Sequence, residues 1–274
     1  MPLFTRFLVL LLFLLPLTSE GALVQLLQPQ QLHQLQDQVK ILDARPFEQW
    51  QKEHIPGALP LDWQSTTATD QQDVAYRKLA NEELAVQLGK LGIDESSSLV
   101  IYGDADSSWG GEGWTCWLLR VLGHRGEIYL LDGGVQAWKK QRGELVAAPL
   151  PAISPVKYKV TERSELDIKT AELVQSSELQ LVDTRSFFEW LRGSIPGAVR
   201  IDWTNFYRGE DHRPLSRQEL TVLLQKHGID PQKPVAYYCS GGIRSAYAWT
   251  VHELAGLQTA KNYEGGMEAW RKLR

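Results

Sequence analysis

Short apolar runs punctuate the chain at Val39 to Leu42, Leu99 to Tyr102, Gln180 to Val182 and Val235 to Tyr238. Each is too short for a helix and lacks the regular polar alternation of a half-exposed strand, so each predicts a strand buried on both faces. The stretches between them carry helical spacing. Ser216-Arg-Gln-Glu219 is a capping box, in which the serine hydroxyl and the glutamate carboxylate each satisfy a backbone N–H of the first turn. It opens a helix with Leu220, Leu223 and Leu224 on its inner side, and Gly228 is placed to end it. Strands alternating with helices of this length predict an α/β fold, a mainly parallel sheet with helices on both faces. Such sheets bind ligands beyond the carboxyl ends of their strands, which directs attention to the residues after Tyr238.

The pattern occurs twice. Ile41-Leu-Asp-Ala-Arg45, Ile55-Pro-Gly-Ala58 and Asp62-Trp63 return as Leu181-Val-Asp-Thr-Arg185, Ile195-Pro-Gly-Ala198 and Asp202-Trp203, at an offset of 140. Gly92-Ile-Asp94 returns as Gly228-Ile-Asp230, and Asp132-Gly-Gly134 with Ala137-Trp138 returns as Glu264-Gly-Gly266 with Ala269-Trp270, so the offset shrinks through 136 to 132. A repeat this long predicts two homologous domains, because solenoid units run only about 20–50 residues. Between the copies, Ala147-Ala-Pro-Leu-Pro-Ala-Ile-Ser-Pro155 disfavours helix and reads as an extended connection. The expected organisation is a leader over 1–22, a first domain over 23–146, a linker over 147–163 and a second domain over 164–274.

The leader is read from Arg6, the apolar run Leu8 to Leu15, Pro16 and the small or polar residues through Ala22. This is the layout of a secretory signal peptide cleaved near Ser19 or Ala22, and its apolar run falls short of the roughly 20 residues that span a bilayer. The expected mature protein is exported, periplasmic in a bacterium, monomeric and without stable membrane association. With 29 basic and 33 acidic residues the formal charge is −4, which supplies no field for nucleic acid. Cys116 and Cys239 are the chain's two cysteines, so a disulfide framework is excluded. Cys116 lies among Trp114, Trp117, Leu118 and Leu119 and reads as a core position. A bridge from there to Cys239 would join a helix interior in one domain to a loop in the other. The six histidines show no metal-ligand spacing, and the ten tryptophans, recurring as Trp63/Trp203 and Trp138/Trp270, read as domain core.

Cys239 directly follows a predicted strand, and a helix is expected from Ser245 onward, with Ala248, Trp249, Leu254 and Leu257 on its apolar side. In the turn between, Gly241 and Gly242 permit backbone conformations that aim successive N–H groups at one spot. The helix N-terminus behind them adds partial positive charge. The same dipoles that hold an anion favour a thiolate at their centre. A reactive cysteine is expected from position alone.

Cys239-Ser-Gly-Gly-Ile-Arg244-Ser245 resembles the active loop of the rhodanese family of sulfurtransferases. The Asp-x-Arg, Ile-Pro-Gly-Ala and Gly-Gly-x-x-Ala-Trp elements resemble the tandem members over almost the whole mature chain. The resemblance implies two rhodanese-like domains and a ping-pong reaction in which Cys239 takes the outer sulfur of a donor such as thiosulfate and passes it to cyanide or another thiophile. It implies no metal or organic cofactor, and as partners a small-molecule sulfur donor and a thiophilic acceptor. It assigns catalysis to Cys239 and substrate binding to Ser240, Gly241, Gly242, Ile243, Arg244 and Ser245, with Arg185 of the Asp-x-Arg element as a further donor group. For Arg185 a structural pair with Asp183 or Glu189 is the competing reading; Arg192 is a weaker donor candidate. Phosphatases and arsenate reductases of the same fold place five residues between cysteine and arginine, whereas this chain has four, Ser240 to Ile243, a tighter cradle suited to one sulfur. Within sulfur transfer, Ser240-Gly241 resembles mercaptopyruvate-using loops and Arg244-Ser245 the thiosulfate type; a sulfur carrier without turnover of its own is the remaining alternative.

Alignment of the repeats puts Asp104 at the position of Cys239. The first domain is therefore expected to form no persulfide, its longer acidic loop Asp104 to Gly113 is expected to repel anions, and Trp109 or its neighbours are expected to approach the Cys239 loop.

Overall fold

The computed structural model describes residues 24–35, 38–176, 178–257 and 260–273. The leader expected over 1–22 lies outside them. Among the described residues no helix is long and apolar enough to cross a membrane.

Two parallel sheets form, one per repeat. In the first the strands lie in the order Gln25–Leu27, Ile128–Leu131, Leu99–Tyr102, Lys40–Asp43 and Leu59–Pro60. In the second the order is Ala260–Tyr263, Val235–Tyr238, Gln180–Asp183 and Val199–Arg200. A single parallel bridge from Asp167 to Asn262 stands where the first sheet has its edge strand. Each repeat also carries a separate two-stranded antiparallel ribbon, Thr67–Ala68 with Arg77–Lys78 and Tyr207–Arg208 with Arg213–Pro214.

Strand side chains alternate between faces, and the faces belong to different cores. Leu42, Leu99 and Ile101 face inward to a core that also holds Val182, Val235 and Tyr237 of the second sheet. Ile41, Val100 and Tyr102 face a separate outer core, and Leu181, Ala236 and Tyr238 face its counterpart. The two repeats thus share one apolar interior, which explains why the apolar runs show no polar alternation.

That shared interior is built around two helices, Gly111–Val121 and Ile243–Leu254. They meet where Gly113 lies against Tyr247, so closely that a Cβ on Gly113 would overlap the Tyr247 backbone. Thr250 Oγ1 donates to the Gly113 carbonyl at 3.0 Å across the contact. The ribbons fasten the pair reciprocally. Arg77 of the first ribbon pairs with Glu264 of the second domain, and Arg213 of the second ribbon pairs with Asp132 of the first at 2.6 Å. These are equivalent residues of the repeats, so an approximate twofold axis relates the domains.

On an unobstructed helix, replacing glycine by alanine stabilises by up to about 1 kcal/mol. At Gly113 the sign is expected to reverse, with Gly113→Ala losing about 1–3 kcal/mol through forced separation of the two helices, measurable by urea unfolding.

Candidate active site

Cys239 leaves the end of strand Val235–Tyr238 and is 2% exposed at the floor of a cavity of about 440 Å³. From its own domain the cavity is lined by Glu189, Ser240, Gly241, Ile243 and Arg244; Trp63, Tyr76 and Trp109 of the first domain form the facing wall. Helix Ile243–Leu254 begins two residues earlier than the sequence predicts, with Gly242 as its cap in the left-handed region at φ 86°. Arg244 and Ser245 are therefore helical rather than part of the turn. The first-turn N–H groups, which lack intrahelical acceptors, belong to Ile243, Arg244 and Ser245, four to six positions after the cysteine.

Ser245 Oγ lies 2.6 Å from Asn262 Oδ1, 3.0 Å from the Gly242 carbonyl and 3.7 Å from Cys239 Sγ. Asn262 Nδ2 donates to the same Gly242 carbonyl at 3.1 Å, which fixes its amide with Oδ1 toward the serine. The Ser245 hydroxyl has one proton to offer among these three acceptors, of which Asn262 Oδ1 is the nearest. Ser245 thus buttresses the loop beneath Cys239.

Arg244 is placed over the cavity, but its charge is already engaged. Its Nη1 donates to Glu189 Oε2 at 2.8 Å and its Nη2 to Oε1 at 2.7 Å, and its guanidinium lies 5.6 Å from the Trp109 ring centre. Burial opposes charge on both partners, yet the hydrogen-bonded pair outweighs it: the Glu189 carboxyl is held well below the usual carboxylate range and the Arg244 guanidinium is pushed up, the latter also by Cys239. Glu189 further accepts from Ser240 Oγ at 2.9 Å and from Ser186 N and Oγ, at 3.1 and 2.8 Å, as the acid of a capping box on helix Phe187–Leu191.

Arg185 requires a correction. It is 1% exposed, absent from the cavity lining, and held by Asp183 through Nε at 2.9 Å and Nη2 at 2.6 Å, with Nη2 also donating to the Gly193 carbonyl. Tyr238 Oη donates to the same Asp183 at 2.7 Å and accepts from Ile195 N. Arg45, Asp43, Tyr102 and Ile55 repeat this arrangement in the first domain. The Asp-x-Arg and Ile-Pro-Gly-Ala elements are two ends of one buried network that anchors the strand ahead of residue 239, and Arg185 is a structural group.

Sequence reasoning missed Glu189, Trp63 and Tyr76. Trp63 is half-buried and edge-on to Tyr76 rather than sealed in a core. Tyr76 and Trp109 are exposed aromatics with φ of 65° and 55°, a costly conformation for bulky residues that clusters at functional sites. Tyr76 sits where its repeat equivalent is His212, also left-handed at φ 51°, which reaches across to the other loop. There His212 lies 3.7 Å from Asp104 and 3.2 Å from Asp106. The acidic loop therefore faces His212 and not Cys239; of the loop's residues Trp109 alone lines the Cys239 cavity. The space beside Asp104 is about 10 Å³, no more than one water occupies. Cys116 is buried in the shared core, where burial pushes its thiol up.

Comparison with known proteins matches the Rhodanese-like domain to residues 28–141 and 169–273. The chain is 31% identical over 245 residues to the sulfur carrier protein TtuD of Thermus thermophilus, covering 80% of this chain and 83% of that protein. It is 29% identical over 244 residues to the thiosulfate sulfurtransferase of Corynebacterium glutamicum, covering 80% and 77%. The fold is similar to that of SseA from Escherichia coli, a 3-mercaptopyruvate sulfotransferase, with a TM-score of 0.77 at 20% identity over 89% of this chain and 98% of that one.

Glu112 occupies the helix position equivalent to Arg244, buried beside Ser108 Oγ at 2.6 Å, and burial raises its carboxyl from 4.5 to about 7. Between those values the unfolded chain releases a proton that the folded protein keeps, so stability present at low pH is lost as pH rises to about 7. At roughly 1.4 kcal/mol per unit the loss amounts to a few kcal/mol. Burial also raises the carboxyls of Glu253 and Glu264 to about 7, so Glu112→Gln is expected to reduce the fall in stability between pH 5 and pH 8, read by urea unfolding, without abolishing it.

Proposed function

This chain belongs to the rhodanese-like family and is a sulfurtransferase, and we propose that it carries the outer sulfur of thiosulfate through a persulfide on Cys239. The observation that carries the reading is the placement of Cys239 at the floor of an interdomain cavity, with a helix N-terminus directly behind it. The thiolate attacks the sulfane sulfur, the sulfur–sulfur bond of the donor breaks, and sulfite departs with the electron pair. The terminal persulfide sulfur bears the negative charge, which first-turn N–H groups and Arg244 stabilise. A thiophile such as cyanide then attacks that sulfur, leaves as thiocyanate and restores the thiolate. The thiolate is regenerated and no external oxidant or reductant is consumed over the cycle.

The four-residue spacing from Cys239 to Arg244 favours one sulfur over a tetrahedral oxyanion, and the neutralisation of Arg244 by Glu189 weighs further against phosphate. A carrier role is the second reading, favoured by the similarity to a sulfur carrier protein over four-fifths of the chain. Under that reading the persulfide forms but passes to a partner protein.

Incubation with thiosulfate is expected to add one sulfur atom to the intact mass of the protein, and none to Cys239→Ser. Thiocyanate formation in that variant is expected to fall by about a thousandfold or more. Mass gain without cyanide-dependent turnover would favour the carrier; turnover by Cys239→Ser at the native rate would end both readings.

A further inference from the structure

The Arg244–Glu189 pair is the feature of the site with the least explained geometry. Arg244 is the sole cation lining the Cys239 cavity among the described residues. Were its task only to attract an anionic donor, a carboxylate occupying both of its terminal nitrogens would defeat it. The carboxylate is not a chance neighbour, since it is oriented by contacts from Ser186 and Ser240 on separate segments and each of its oxygens accepts from Arg244. Trp109 covers the guanidinium from the other domain, on a left-handed backbone. With the pair closed, the cavity wall carries no net charge, and the thiolate or persulfide is the unbalanced charge in it.

We propose that Glu189 is a positioning residue that holds Arg244 in a neutral pair and thereby raises the KM for doubly charged thiosulfate more than for less charged sulfane donors, thiosulfate remaining a donor. The inference rests on the sulfurtransferase reading of this site. A dianion entering the cavity must share or displace the carboxylate to reach the guanidinium, and its approach is repelled by Glu189. A monoanion with an organic body meets less repulsion and gains contact with Trp63, Tyr76 and Trp109, for which a cavity of about 440 Å³ leaves room. The chemistry at sulfur is unchanged: a thiosulfonate transfers its outer sulfur to Cys239 and releases a sulfinate with the bonding electron pair, as thiosulfate releases sulfite.

The test is steady-state kinetics with thiosulfate and with an arenethiosulfonate, using the full-length protein, Glu189→Gln, Arg244→Gln and the double variant. Glu189→Gln keeps an acceptor for Ser186 and removes the charge. It is expected to lower KM for thiosulfate about tenfold and for the monoanion about threefold, a donor-dependent difference that a merely structural role would not produce. If that variant folds poorly, the double variant replaces it, as it bears no unpaired charge: its KM for thiosulfate is expected to lie below that of Arg244→Gln, which leaves Glu189 uncompensated at the cavity wall. An unchanged or raised thiosulfate KM in Glu189→Gln, or a double variant no better than Arg244→Gln, overturns the proposal. Absence of a persulfide on the unmodified protein with either donor overturns instead the reading on which it rests.

Discussion

Gly113 and Tyr247 touch at the centre of the molecule, where helices Gly111–Val121 and Ile243–Leu254 approach too closely for any side chain at residue 113. Much of the functional geometry depends on that contact. The second helix begins at the active loop, so whatever fixes its N-terminal half against the first domain also fixes the floor of the Cys239 cavity. The same contact brings the first domain near enough for Tyr76 and Trp109 to form the opposite wall. Because the inner faces of both sheets drain into one apolar core, the cleft between domains is not a hinge between independent bodies. The arginine–carboxylate pairs at either side of the axis, Arg77 with Glu264 and Arg213 with Asp132, set its register.

The two halves use the same backbone to opposite ends. At the end of the equivalent strand one has Cys239 and the other Asp104; on the first turn of the following helix one has Arg244 and the other the buried Glu112. Beneath the loop, Asn262 holds Ser245, while the equivalent positions in the first domain are Leu130 and Gly113. The crossing needs a glycine on one helix only, and that glycine takes the place of the serine that supports the active loop. The residue that permits close packing of the domains thus stands, in the first repeat, where the second has the serine beneath Cys239. The ribbons show the same division: Tyr76 lines the large cavity of about 440 Å³, and His212 lines the small space of about 10 Å³ beside Asp104.

What was legible in the sequence followed from local chemistry. The strands over Leu99–Tyr102 and Val235–Tyr238, the capped helix after Ser216 and the parallel architecture were readable because apolar runs and capping residues act within a few positions of themselves. The repeat added the domain organisation and singled out Cys239 by its contrast with Asp104. Misreadings arose where a residue's role is set across the fold. Asp-x-Arg carries no mark that distinguishes a donor-facing arginine from one locked by its own aspartate two positions earlier. Trp63 recurs as Trp203, which suggested core for both, yet only the second is sealed. Glu189 reads locally as the acid of a capping box after Ser186, and it is that; nothing nearby announces that the same carboxylate meets an arginine 55 residues on.

That double duty bears on how charge is managed in the cavity. A persulfide needs its terminal charge stabilised during transfer, yet a strongly cationic site would hold sulfite or any oxyanion and stall turnover. Helix-terminal N–H groups offer stabilisation confined to the sulfur's immediate surroundings, because the dipole's influence falls off within a turn. An arginine projects its charge farther, and here the carboxylate cancels most of that reach while leaving the guanidinium beside Cys239. The result is short-range stabilisation of the sulfur with little long-range attraction for anions. Trp63, Tyr76 and Trp109 on the facing wall then add contact surface without charge, all of it supplied by the first domain.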